Sequence, residues 1–216
     1  MHYPRILIID DHPLVLDATL GALRRAYPDA DVIVAQVSQE ALEKAQSLKP
    51  DVAIVDLSMP RSIGEKPQAE TGLQLLKDLM QGNNCLNIVV QSADPRPLIR
   101  LKSLINDHEG GFTIADKQLS SEAMLRQVEL ALQGLSVTSR EMRIGLEMKA
   151  DWLTLLQFAF VEGLTDSAIS ERMNVAERTV RHYWTKIQDA LEVYPEKGKN
   201  IRIQTEMRAR EMGLLD

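Results

Sequence analysis

The 216-residue sequence predicts a doubly wound α/β domain on five parallel strands, followed by a small all-α domain. Three observations carry this. Over residues 1–134, short apolar runs alternate with longer amphipathic stretches. Those runs lack the alternation of a half-exposed strand, so both faces are buried, as in a parallel sheet covered by helices. From Asp151 the pattern turns purely helical, and residues 135–150, "LSVTSREMRIGLEMKA", are polar, mixed in sign and without a core stripe. That stretch reads as a linker with some helical character, between domains at 1–134 and 151–216.

The elements follow in order. Ile6–Ile9 is the first strand, and the segment from Pro13 to Ala26 sets Leu16, Leu20 and Leu23 at helical spacing. Val32–Val37 is the second strand, and Ser38–Leu48 carries Ala41, Leu42, Ala45 and Leu48 in phase. Val52–Val55 ends at Asp56, after which "TGLQLLKDLM" resumes the helical period. Ile88–Val90 leads into "PLIRLKSLI", and "GFTIA" into "SSEAMLRQVELALQGL", where Met124, Val128 and Leu132 share a face and Gly134 is the stop. Five such units make a doubly wound sheet.

Composition narrows the function. Apolar residues at 44% and charged residues at 26% are those of an ordinary globular chain. A net charge of −6 excludes a globally basic nucleic-acid coat, though not a local basic face. The single cysteine, Cys85, leaves no intrachain disulfide and no Cys-rich zinc site. The N-terminal apolar run is too short for a signal peptide, and no segment approaches the roughly 20 apolar residues that cross a bilayer. The expectation is a soluble, cytoplasmic protein with no membrane partner.

In doubly wound sheets, ligands sit outside the carboxyl ends of the strands. Strand one ends in Asp10 and Asp11, strand three in Asp56, strand four in Ser92 and strand five in Lys117. Three carboxylates, a hydroxyl and an ammonium would therefore meet at one edge. Clustered carboxylates repel unless something positive offsets them. Mg²⁺, which takes a few carboxylates together with waters and a phosphoryl oxygen, suits the need.

These residues resemble a two-component receiver domain, whose flavodoxin-like sheet matches the one predicted. "LIIDDHPLV", "DVAIVDLSMP", "IVVQSAD" and the "DK" of "TIADKQL" stand in that family's order over residues 1–134. The resemblance implies that Asp56 is the phospho-acceptor. It makes Asp10, Asp11, Asp56 and the backbone carbonyl of Ser58 the Mg²⁺ ligands, and Ser92 and Lys117 the groups that contact the phosphoryl. A partner histidine kinase would supply the phosphate. One departure is the stretch "RSIGEKPQAE", residues 61–70, longer than the family's habit. Its glycine, proline and alternating charges read as an exposed loop that gates the site, meets a partner, or is a neutral insertion.

In the second half, Trp152, Leu155, Leu156 and Ala159 give one apolar face that ends at Gly163. "LTDSAISERMNVAERTVRHYWTKIQDAL" then reads as two helices about the turn "NVA", with Thr165 as N-cap and Ala168, Ile169 and Met173 facing inward. Small Ser170 lets the helices cross closely. On the second helix, Val180, Trp184, Ile187 and Leu191 make a core stripe, opposite Arg178, His182 and Thr185 with Arg181 and Lys186 alongside. A helix anchored on one face and basic on the other suits the major groove of double-stranded DNA. Between Arg172 and Arg210 stand nine Lys or Arg against five Asp or Glu, so positive charge gathers there in a chain that is negative overall.

"EGLTDSAISERMNVAERTVRHYWTKI" and "MRAREMGLL" resemble the LuxR/NarL-type helix-turn-helix output domain over residues 151–216. The resemblance implies that Thr179, Val180 and Arg181 sit at the groove, with Arg178, His182 and Lys186 reading or anchoring nearby. Lys197 and Lys199 in the last loop are further candidates for phosphate contact. The whole is expected to be a response regulator that binds promoter DNA as a homodimer and is not an enzyme. A phosphohydrolase on a similar sheet would want an acid two residues after its nucleophile, where Ser58 stands. The alternative is a DNA-binding regulator independent of phosphorylation, its receiver serving as a dimerisation or docking module.

Overall fold

The computed structural model describes residues 3–118, 120–138 and 148–215. Two compact units account for the chain, one of Met1–Pro95 with Ser103–Ser139 and one of Arg96–Lys102 with Arg140–Asp216.

The first unit holds the sheet. Its strands are β1 (Arg5–Ile9), β2 (Asp31–Ala35), β3 (Val52–Asp56), β4 (Asn87–Ser92), β5 (Phe112–Asp116) and β6 (Ser136–Val137). They run in the order β2-β1-β3-β4-β5-β6 and pair in parallel throughout. The helices are α1 (Pro13–Ala26), α2 (Ser38–Leu48), α3 (Ala69–Gly82), α4 (Lys102–Asp107) and α5 (Ser121–Leu132). Ile6, Ile8, Val52, Ile54 and Val89 from the strands pack with Leu16 and Leu23 of α1 and Met124 and Val128 of α5. Full burial of β3 explains its unbroken apolar run.

Among the described residues the sheet has six strands rather than the expected five. The sixth lies where the linker was expected, and pairs Ser136 with Phe112 and Val137 with Thr113. Both its residues are exposed at the sheet edge, so no apolar run marks it in the sequence. The helix expected in "PLIRLKSLI" is divided into a 3₁₀ turn at Arg96–Leu101 and the short α4. Most of the expected linker, residues 139–147, lies outside the described residues.

The second unit contains α6 (Ala150–Phe160), α7 (Asp166–Arg172), α8 (Glu177–Ala190) and α9 (Ile201–Glu211). Thr165 caps α7 by accepting from the Ala168 N–H, and Asn200 caps α9 by accepting from the Arg202 N–H at 2.9 Å. Between α7 and α8, Asn174 takes a left-handed φ of 54°, a conformation asparagine tolerates better than most side chains. Ser170 is buried under the crossing. Leu155, Leu156, Ile169, Val180, Trp184, Ile187, Leu191 and Ala209 form the core. Among the described residues, no helix is long and apolar enough to cross a membrane.

Candidate functional site

Register builds the acidic edge. β1 and β3 pair Ile9 with Val55, so Asp10 and Asp56, which follow, emerge side by side. β3 and β4 pair Asp56 with Gln91, β4 and β5 pair Ser92 with Asp116, and Lys117 comes next. Residues far apart in the chain thus meet because their strands end level.

Asp10 is 2% and Asp56 3% exposed. Lys117 Nζ reaches both, 2.9 Å from Asp10 Oδ2 and 2.7 Å from Asp56 Oδ2. The Ser58 backbone N–H donates to Asp56 Oδ1 at 3.1 Å, and the His12 N–H to Asp10 Oδ1 at 2.8 Å. Burial raises the Asp56 carboxyl above its ordinary value, against the lowering influence of Lys117 and the Ser58 N–H, and the Asp10 charge adds to the rise. Burial disfavours the Lys117 ammonium, yet Asp56 and Asp10 together hold its pKa above the ordinary lysine value. Asp11 Oδ1 and Asp56 Oδ2 are buried without a hydrogen bond.

One donor atom from each of Asp10, Asp11, His12 and Asp56 lies within 4.8 Å of the others. Carboxylates gathered this closely, two of their oxygens orphaned, fit a hard divalent ion such as Mg²⁺. Ser92 is buried near this edge, but its hydroxyl is engaged by its own loop, donating to the Asp94 carbonyl at 3.0 Å and accepting from the Asp94 N–H at 3.1 Å. Ser58 is exposed at the same end of β3. His12 was not singled out from the sequence. Its signal was the "DDHP" order, in which Pro13 opens α1 and holds His12 extended as the N-cap, next to the acids.

The stretch at 61–70 is an exposed loop as far as Gln68, closed at its base, and its last two residues open α3. Met59 and Gln68 pair as an antiparallel bridge, exchanging N–H···O bonds of 3.3 and 3.1 Å. The Glu65 N–H closes a turn on the Ser62 carbonyl at 3.1 Å, with Gly64 at φ 89°. That is the geometry of a type II turn, which wants glycine at its third position. Ile63 stands at the tip, 93% exposed. At the far side of the insertion, a Cβ on Gly72 would run into the Leu57 backbone, so α3 is seated directly against the end of β3.

The helical face has the predicted stripe, with Val180, Trp184 and Ile187 buried. Arg178, Arg181, His182, Thr185 and Lys186 are exposed, and Thr179 is half-buried. Val180 corrects the groove assignment drawn from the family resemblance, since it is fully buried and its part is to anchor α8. The remaining basic residues of this unit are largely paired. Arg172 bonds Glu162, Lys199 pairs with Glu196, Arg208 with Glu211 and Arg210 with Glu206. Arg181 has a long 3.4 Å pair with Glu177, whereas Arg178 and Lys186 form no ion pair among the described residues.

Sequence reasoning also missed what holds α8 in place. Asp166 accepts from the Trp184 indole at 3.0 Å and from Arg202 at 2.8 Å, while the Arg202 guanidinium lies 3.5 Å above the Trp184 ring. One residue from each of α7, α8 and α9 thus meets in a clasp of which only Trp184 is fully buried, with Asp166 and Arg202 half-buried. Phe160 closes the other side edge-on, 5.5 Å from Trp184 between ring centroids. A buried indole needs an acceptor, and an acid in the first turn of the preceding helix was the available hint.

Residues 6–129 match the response regulator receiver domain. The chain belongs to that family. It is similar to the transcriptional regulatory protein DesR of Bacillus subtilis, 26% identical over 213 residues, covering 96% of this chain and 97% of that one. It is also similar to the DNA-binding transcriptional activator EvgA of Escherichia coli, 24% identical over 209 residues, covering 86% and 90%. Among solved structures, RcsB from Salmonella enterica serovar Typhimurium, bound to promoter rprA with the phosphomimetic BeF3⁻, shares the fold. That match has a TM-score of 0.59 at 21% identity and covers 95% of this chain and 97% of the other.

Proposed function

We propose that the protein is a phosphorylation-controlled, DNA-binding transcription regulator, with Asp56 as the acceptor of a phosphoryl group from a partner histidine kinase. The observation that carries this is the cluster at the sheet edge, where Asp56 lies 2.7 Å from Lys117 beside Asp10 and Asp11. Asp56 attacks the phosphorus of a phosphohistidine. The P–N bond breaks, nitrogen keeps the electron pair, and an aspartyl phosphate remains. Lys117, already in contact with Asp56, offsets charge on the transferring oxygens. Asp10, Asp11, Asp56 and the Ser58 carbonyl would hold Mg²⁺, which adds positive charge at the phosphoryl oxygens. The Ser92 hydroxyl would exchange Asp94 for a phosphoryl oxygen, pulling on the loop after β4 and biasing a two-state surface.

Output belongs to α8. Arg178, Arg181, His182 and Lys186, with Thr179 at the margin, face the major groove, while Val180 and Trp184 anchor the helix. Arg178 and Lys186 form no ion pair among the described residues, which supports this reading, since neither gives up such a pair there to meet a phosphate or a base. A homodimer is expected to read two half-sites. Ile203 and Met207, exposed one turn apart on α9, offer a second copy an apolar surface.

The test is promoter binding with and without a small phosphodonor and Mg²⁺, comparing the wild type with Asp56→Asn. A phosphodonor-dependent gain in the wild type, absent from the variant, is the expected result. Binding that ignores the phosphodonor in both proteins would leave a regulator whose receiver only docks or dimerises.

A further inference from the structure

We propose that His12 belongs to the cation site, its Nδ1 supplying a nitrogen ligand beside Asp10, Asp11 and Asp56, so that the site favours a transition ion such as Mn²⁺ over Mg²⁺. The inference rests on reading the carboxylates as a divalent-cation site and adds the nitrogen donor and its consequence for selectivity.

The distances are those of a shared coordination shell. His12 Nδ1 lies 2.9 Å from Asp11 Oδ1, 3.6 Å from Asp10 Oδ1 and 3.9 Å from Asp56 Oδ2. With bonds of about 2.1 Å in an octahedron, neighbouring donors stand ~3.0 Å apart and opposite donors ~4.2 Å. All three imidazole–carboxylate separations fall close to that span. Asp10 and Asp11 are its neighbours in the chain, whereas Asp56 comes from another strand, so the 3.9 Å approach to Asp56 Oδ2 is the one that the fold supplies.

A second observation is the imbalance of charge at this edge. Asp56 is 3% exposed, and its Oδ2 meets Lys117 Nζ at 2.7 Å while the same ammonium also serves Asp10 Oδ2 at 2.9 Å. Lys117 is one ammonium against three carboxylates. The backbone also fixes the imidazole close by. His12 is the N-cap of α1, held extended before Pro13, and its N–H is bonded to Asp10 Oδ1 at 2.8 Å. The side chain itself is 57% exposed, so the ring can turn onto an incoming ion without disturbing the core.

Ligand chemistry then decides the ion. Mg²⁺ takes oxygen donors and holds its waters tightly. Imidazole nitrogen binds later first-row ions progressively better, following the order from Mn²⁺ towards Ni²⁺ and Cu²⁺. A set of three carboxylates and one imidazole therefore shifts the ratio of affinities towards Mn²⁺, and further towards Co²⁺.

The experiment uses the full-length protein, chelator-treated and titrated separately with Mn²⁺ and Mg²⁺, as wild type, His12→Ala and Asp10→Asn. Pulsed electron paramagnetic resonance of the bound Mn²⁺ should show ¹⁴N modulation in the wild type and none in His12→Ala. The Ala variant should lose about tenfold in Mn²⁺ affinity, ~1.4 kcal/mol, with Mg²⁺ affinity little changed. Asp10→Asn should weaken both ions alike. Bound Mn²⁺ without nitrogen modulation in the wild type overturns the assignment. So does an equal change for both ions in His12→Ala, which would make the imidazole only a counter-charge. If the wild type bound neither ion, the carboxylate site itself would fall, and the Mg²⁺ part of the proposed function with it.

Discussion

The acidic edge of the sheet and the outer face of α8 both concentrate charge, but they do so under opposite conditions. At the edge, Asp10 and Asp56 are buried, come from different strands, and share Lys117 as a common partner. On α8, Arg178, Arg181 and Lys186 come from one helix and stand in solvent, with the core on the far side. Buried charges within a few ångströms are strongly coupled, so changing one changes the energy of all. Solvated charges are screened and act nearly independently. The first arrangement suits a switch that must respond to one added phosphoryl group. The second suits a surface that sums many weak contacts.

Substitutions should separate the two regimes. The largest effect is expected from Lys117→Ala, which leaves three carboxylates together without their ammonium. Loss of one partner from a buried ion pair destabilises by roughly 3 kcal/mol, and added divalent ion should recover part of it in chemical denaturation. A loss under about 1 kcal/mol, unaffected by the ion, would mean the edge behaves like a solvated surface. Next come Arg178→Ala and Arg181→Ala, at about tenfold in DNA affinity each and roughly a hundredfold together, with the salt slope falling by about two. Strong non-additivity in that double variant would show coupling where independence is expected.

Asp56→Asn should stabilise the protein in chelator, by roughly 1 kcal/mol or a few degrees in midpoint. The direction follows from the raised Asp56 pKa. The folded state holds this proton more tightly than the unfolded one, so the wild type loses stability as pH rises from the ordinary carboxylate value through the raised one. The gain in the variant should therefore be absent in acid and present at neutral pH, as thermal melts across pH would read. The smallest effect is expected from Glu177→Gln, which frees Arg181 from its 3.4 Å pair and should tighten DNA binding about twofold.

How far the sequence disclosed this follows from the same contrast. Strands buried on both faces announce themselves as unbroken apolar runs, and the register that levels their ends makes Asp10, Asp56, Ser92 and Lys117 legible as one group. β6 was not legible, because two exposed residues at an edge carry no hydrophobic signal. The Asp166–Trp184–Arg202 clasp was hidden for another reason. It joins three helices through side chains whose spacing follows no period, and Arg202 entered the sequence reading only as one of the nine basic residues between Arg172 and Arg210. Val180 shows the limit of resemblance, since a motif places a residue in a helix without saying which way it faces. His12 was hidden by the generality of histidine, and only its distances to three carboxylates in the folded structure set it apart.

The bridge between Met59 and Gln68 has a practical consequence. Because the chain closes on itself there, and Gly72 seats α3 against Leu57 independently, residues 61–67 form a detachable cap rather than a spacer. A fluorophore or a short foreign segment could replace that cap at little entropic penalty, since closure depends only weakly on length. A reporter placed in that cap, which follows β3 closely in the chain, would test whether a phosphodonor alters the end of the strand that carries Asp56.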